Sequence, residues 1–183
     1  MIQSDTKAVL AHIAKLLPKL KMSECIEICK LTIDHLKSRI NYFNEADGMF
    51  KRALGKIYDN KNAAYDAILV LQTIQYEEND LRKIEDFLLL AELWFDMTDP
   101  TNAEMYVNRV AHFMHRTSDK ELHMRYKRNQ VRVLDSKREF ILASQGYYNL
   151  SFQEGLDNEE IESILSLAIT CTLLAPAGPR KAR

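Results

Sequence analysis

The run WFDMTDPTNAEMYVNR, residues 94–109, carries one helix into the next and settles the fold class. Asp99 followed by Pro100 starts a helix in two residues. The carboxylate accepts an amide that has no partner in the first turn, and proline at the first helical position gives up an N–H that would have had none. Before this start a helix closes on the bulky Trp94, and Ala103 stands nine positions further on. The same spacing recurs on either side, from Tyr58 to Ala67 and from Leu134 to Ala143, so the alanines lie 36 and 40 residues apart. Four and seven positions beyond each alanine the helical face continues with large residues: Leu71 and Ile74, Val107 and Val110, Tyr147 and Leu150.

A small side chain facing a large one lets two antiparallel helices approach closely, so each unit is a helical hairpin of tetratricopeptide-like length. The packing residues of the repeat are Tyr58, Ala67, Trp94, Ala103, Leu134 and Ala143. A leucine at Ala103 or Ala143 would overpack the pair by about 1–3 kcal/mol. One hairpin cannot bury its own apolar face, so neighbours must stack on it. The expected fold is therefore all-α, a right-handed α-solenoid of hairpins.

Outward from these corners, apolar residues return every three or four positions through most of the chain. Helices are expected at about 4–17, 23–39, 44–59, 62–75, 80–96, 100–114, 119–135, 137–152 and 158–173. Ser4 and Ser23 are read as caps, and Pro18 as the stop of the first helix. Nine Gly and Pro among 183 residues leave too few turn residues for a sandwich, barrel or propeller. The length suits a single core, read as one helical-repeat domain over 1–178 with a basic, disordered tail at 179–183.

Twenty-five basic against 26 acidic residues leave no global field for nucleic acid or anionic lipid. No apolar run reaches the roughly 18 residues of a membrane span, and residues 1–10 are too polar for a signal peptide, so the expectation is a soluble, intracellular protein. Cys25, Cys29 and Cys171 form no zinc-like pair and are read as reduced, buried thiols. His112, His115 and His123 are the nearest approach to a metal set, but no HExxH signature or clustered carboxylate accompanies them. No phosphate loop, GxGxxG or GxSxG occurs. Neither a catalytic residue, a cofactor nor a metal is expected.

The charge is unevenly placed. Residues 77–104 carry nine acidic residues (Glu77, Glu78, Asp80, Glu85, Asp86, Glu92, Asp96, Asp99, Glu104) against Arg82 and Lys83. Residues 120–138 carry seven basic ones (Lys120, Arg125, Lys127, Arg128, Arg132, Lys137, Arg138) against Glu121 and Asp135. Two readings stay open: solvated faces pairing between repeats, or a steering surface on that basic row for a charged protein partner. A nucleic-acid reading would make Tyr126 and Tyr147 stacking platforms, but the repeat assigns Tyr147 to the packed face and no RNA-binding motif is present.

Residues 94–109, together with RYKRNQVRVLDSKREFILASQGYYNLSF at 125–152, resemble the COP-9 signalosome subunit four family. Asp99, Pro100, Ala103, Glu104, Tyr106, Asn108 and Arg109 match its acidic loop, DP step and alanine-rich helix. Tyr126, Lys127, Arg132, Val133, Leu134, Asp135, Phe140, Ala143 and Tyr147 match its next hairpin, and ITCTLLAPAG at 169–178 is similar to its CTILASAG segment. The resemblance implies PCI-type helical repeats in a non-catalytic scaffold and substrate-recognition subunit. Its parent complex removes a ubiquitin-like modifier from cullin-RING ligases, with the metalloprotease in another subunit. It further implies other signalosome subunits and a cullin-RING ligase as partners, reached by an N-terminal arm, with residence in cytoplasm and nucleus and neither nucleic acid nor membrane as a partner. Family members continue into a winged-helix module that the sequence does not contain, so a fragment is expected. The paralogous helical subunit of the proteasome lid, or a generic protein- or RNA-binding helical repeat, is the alternative.

Overall fold

A computed structural model of the chain describes residues 2–77, 80–153 and 155–176, with residues 2–4 and Pro18 by backbone alone. Among the described residues there is no strand. The described residues form nine α-helices in succession: α1 (Ile2–Leu16), α2 (Met22–Leu36), α3 (Ile40–Asn60), α4 (Ala64–Leu71), α5 (Arg82–Asp96), α6 (Pro100–Ala111), α7 (Lys120–Ser136), α8 (Phe140–Leu150) and α9 (Asn158–Leu174). Single 3-10 turns occupy Leu17–Lys19, Lys37–Arg39 and Met114–Arg116. The fold is all-α, as the periodicity requires. The side chain of Ser4, the residue Glu78 and the tail 179–183 lie outside the described residues.

The expected boundaries shift for identifiable reasons. Helix α2 begins before Ser23, at Met22, and the Lys21 N–H donates to the Glu24 carboxylate at 3.3 Å. Ser23 therefore sits inside the first turn and does not cap it. Helix α3 reaches back to Ile40 through a kink at Phe43, whose φ of −123° and ψ of 23° are not helical. Helices α4 and α8 begin later than expected, because Asn62 and Arg138, placed by periodicity inside them, take left-handed backbone conformations instead; they also end earlier, at Leu71 and Leu150.

Those two residues belong to a corner that recurs three times. Asn62, Thr98 and Arg138 have φ of 55°, 58° and 60°. At each, the next residue's N–H reaches five positions back: Ala63 to Tyr58 O, Asp99 to Trp94 O and Glu139 to Leu134 O, at 2.9, 2.9 and 3.0 Å. The left-handed residue itself donates three positions back, to Asp59, Phe95 and Asp135 carbonyls. This is the Schellman arrangement, which satisfies the last carbonyls of the outgoing helix. The following helix opens with a bond from the alanine four residues on: Ala67, Ala103 and Ala143 donate to Ala63, Asp99 and Glu139 carbonyls. The spacing of nine from bulky residue to alanine is thus the length of one capped corner plus one helical turn. All three alanines are fully buried. At the middle corner the Asp99 carboxylate also accepts from the Asn102 N–H at 3.1 Å and from Asn102 Nδ2 at 2.8 Å.

The chain divides into two compact units, Met1–Asp80 and Leu81–Arg183. In the first, Leu17, Cys25, Cys29, Phe50 and Leu54 form an apolar cluster against Tyr58 and Val70, and Leu36, Phe43 and Ala46 form another. A buried ion pair lies in α3: Lys51 Nζ is 2.7 Å from Asp47 Oδ2, angled away from a hydrogen bond, and donates to Thr73 O at 3.0 Å just past α4. In the second unit Ile84, Leu88, Val110 and Met114 make one cluster. Val131, Ala143, Tyr147, Leu150, Ile164, Ala168 and Cys171 make another, joining α7, α8 and α9. Gly146 is needed there, since a Cβ on it would stand 2.5 Å from Val131 Cγ2.

Candidate functional site

The charged residues singled out in the sequence meet inside the second unit. Arg125 Nε and Nη2 donate to the two Glu92 oxygens at 3.1 and 2.7 Å, and the buried Asn129 adds a bond from Nδ2 to Glu92 Oε1 at 3.2 Å. One turn further along α5 and about two turns further along α7, Arg132 lies 3.7 Å from Asp96 and 4.3 Å from the centre of the Phe95 ring. The two contacts advance together along both helices, so α5 and α7 run in the same direction. Lys137 donates to Glu104 on α6, and Arg128 lies 3.8 Å from Glu160 on α9. Burial draws the Arg125 guanidinium down, but the paired Glu92 carboxylate, together with Glu85 and Glu121, more than offsets it and the net shift is upward.

The basic row therefore does not stand free as a whole. Arg125 and Lys137 are spent on hydrogen-bonded pairs within the unit, which is how the acidic and basic segments neutralise one another. Lys120, Lys127 and Arg138 are exposed, and the left-handed φ of Arg138 places it on the corner. Arg128 and Arg132 are different. Each faces its carboxylate beyond hydrogen-bond distance, with its side chain 44% and 35% exposed respectively. Both line a groove floored by Phe95, Leu150, Ile164 and Leu167.

The groove is held together by a polar tie at its base. Tyr147 OH donates to Asp135 Oδ2 at 3.4 Å and Cys171 Sγ to Asp135 Oδ1 at 3.5 Å, linking α7, α8 and α9 through one carboxylate. Burial, with Asp135 next to it, pushes the Tyr147 phenol far up, and the same two causes raise the Cys171 thiol to about 11. Neither group is poised for nucleophilic or acid–base work at neutral pH. Cys29 is likewise raised to about 11, by burial and then by Cys25, while Cys25 donates to Leu17 O at 2.9 Å. His112 and His115 are exposed, whereas the His123 ring Nε2 lies 3.0 Å from Thr117 O. Among the described residues no group of three or more His, Cys, Asp or Glu side chains is placed to hold a metal ion. No helix among them is long and apolar enough to cross a membrane.

Of the sequence-named packing residues, the three alanines are wholly buried, while Tyr58, Trp94 and Leu134 are half-buried and anchor the corners through their carbonyls. The groove contributions of Glu160, Ile164 and Leu167 from α9 are absent from the sequence reading. Nothing in a single helix's periodicity says which row of a neighbouring helix its side chains will meet.

Residues 2–159 match the PSMD12/CSN4, N-terminal family. The chain belongs to that family. It is similar to COP9 signalosome complex subunit 4 of Drosophila melanogaster, 30% identical over 183 residues that take in 97% of this chain and 45% of the relative. The subunit 4 of Arabidopsis thaliana is 27% identical over 190 residues, 97% of this chain and 48% of that protein. For Emericella nidulans the figures are 29% over 172 residues, 91% and 42%. The chain thus spans less than half the length of these relatives. The likeness first carried by residues 94–109 and 125–152 thus extends through 91–97% of the chain.

Proposed function

We propose that the chain is a non-catalytic recognition arm of a COP9-type signalosome, binding other subunits and presenting its helical hairpins to a cullin-RING ligase in cytoplasm and nucleus. The observation that carries this reading is the similarity to signalosome subunit 4 from insect, plant and fungus over 91–97% of the chain. The side chains support a binding role. The thiols are buried, the histidines are unclustered, and the second unit devotes its charges to tying helices together and lining a groove. The proteasome-lid alternative shares the family description, but the relatives above favour the signalosome.

The test is retention of an assembled cullin-RING ligase, with and without its ubiquitin-like modifier, on the immobilised chain, beside retention of signalosome subunits. Binding of the ligase and of the subunits is expected. Retention of proteasome-lid subunits with neither of the others would overturn the reading.

A further inference from the structure

Helix α8 and the last three turns of α9 are composed like buried helices yet leave one side open. Residues 140–153 and 163–176 hold no charged side chain in a chain that is 28% charged, and a helix with no charged face belongs in an interior. Their inner sides fill the cluster around Val131. Their outer sides form a second groove, lined by Ser144, Gln145, Tyr148, Ala168, Ile169 and Leu173, with no charged side chain among the described residues. Tyr148 is 54% exposed and meets Phe152, 67% exposed, edge to face at 4.8 Å between ring centres. Ile169 and Leu173 are 61% and 75% exposed. The hydroxyls on this side do not need water either. Ser144 Oγ donates to Ile141 O at 2.9 Å, and Ser166, Thr170 and Thr172 donate to Glu162, Ser166 and Ala168 carbonyls at 2.8 Å each. Every one of these protons is spent on its own helix, so covering the face orphans no hydroxyl donor.

We infer that a second copy of this chain covers the face, with the two α9 helices packed antiparallel about a two-fold axis near Ile169. Leu165, Ile169 and Leu173 stand four residues apart and form one ridge, and the small Ser144 and Ala168 leave a trough beside it. A ridge next to a trough is self-complementary. A half-turn about Ile169 lays Leu165 of one copy against Leu173 of the other. The uncharged surface is what this symmetry requires, because a two-fold axis brings side chains close to their own twins and like charges there repel. Charge depletion with exposed aromatics is also the composition of an interface core. The area is of the right size. A large side chain presents about 150–250 Å2, so Tyr148, Phe152, Ile169 and Leu173 leave on the order of 500 Å2 open, most of the roughly 800 Å2 that one partner gives to a stable interface. The pairing stands apart from the recognition-arm reading and holds or fails without it.

The test is sedimentation equilibrium of the full 183-residue chain over a dilution series. A reversible monomer–dimer equilibrium is expected, unchanged or tightened by added salt because its contacts are apolar. Ile169→Glu and Ile169→Lys should each weaken it by about tenfold or more, and mixing the two variants should restore a dimer, since opposite charges then face one another across the axis. Leu31→Glu, at an exposed apolar position of α2, should leave the equilibrium unchanged. Circular dichroism melts of each variant separate loss of the contact from loss of the fold. A monomer at every concentration, assemblies that grow beyond two copies, or an Ile169→Glu protein that dimerises as the parent does overturns the inference. So does a mixture of the Glu and Lys variants that stays monomeric, which would remove Ile169 from the axis.

Discussion

Gly146 and Gly48 both lie inside helices, so on intrinsic helix preference alone alanine at either would stabilise by about 1 kcal/mol. The surroundings separate them. A Cβ at Gly146 would stand 2.5 and 3.1 Å from the two methyls of Val131, a buried residue of α7. Valine in a helix keeps essentially one χ1 rotamer, so the methyls have nowhere to turn and relief requires moving α8 off α7. Overpacking of this kind costs about 1–3 kcal/mol, enough to cancel the helix gain and leave a net loss of up to about 2 kcal/mol. At Gly48 the nearest atom, at 3.3 Å, is Nη1 at the far end of Arg52, which can swing aside. The same substitution should therefore have opposite effects. Gly48→Ala should raise the melting temperature by about 2–4 °C, the shift that 1 kcal/mol produces in a chain of this size, while Gly146→Ala lowers it. A double-mutant cycle with Val131→Ala isolates the cause: removing the methyls should abolish the penalty and give a coupling of about 1–3 kcal/mol in urea melts. A Gly146→Ala protein as stable as Gly48→Ala, or a coupling of zero, would refute the close approach of α7 and α8.

Three further outcomes follow from named groups. Thr98 is β-branched with φ of 58° and makes no side-chain hydrogen bond among the described residues, so Thr98→Gly should stabilise by about 1 kcal/mol in denaturant melts, and Asn62→Gly by less because asparagine tolerates that conformation. The Asn102 backbone N–H, and then its side chain, hold the Asp99 carboxyl below its ordinary value. Its contribution is therefore complete above the ordinary aspartate value of about 4 and is lost as pH falls through the lowered one. Asp99→Asn keeps an acceptor at the cap, so its stability should decline less steeply on acidification. Cys25, Cys29 and Cys171 should be silent to a thiol reagent at pH 8 in the native chain and all react in guanidinium.

The corner motif was legible because it repeats: bulky residue, nine steps, alanine. What carries it was only half visible. Asparagine favours the left-handed region and Thr98 and Arg138 do not, yet apolar periodicity alone extends the helices back over 62 and 137. Asp99–Pro100 was readable because both residues act locally. The groove was hidden for the opposite reason. Arg125 and Arg132 look alike in the sequence, yet a bidentate carboxylate and the buried Asn129 hold the first, while a ring face and a distant carboxylate leave the second open. Which of two arginines is spent depends on the neighbouring helix, and helix-to-helix register is not written in either helix alone.

The thrice-repeated corner also constrains how this chain can change length in the course of evolution. One extra residue between Trp94 and Ala103 would rotate everything after it by about 100° around the helix axis, carrying the alanine out of its seat and a polar neighbour into it. Insertions and deletions among related sequences should therefore avoid 58–67, 94–103 and 134–143 and gather in stretches such as 112–119, where a 3-10 turn and an open link can absorb them without re-phasing a helix.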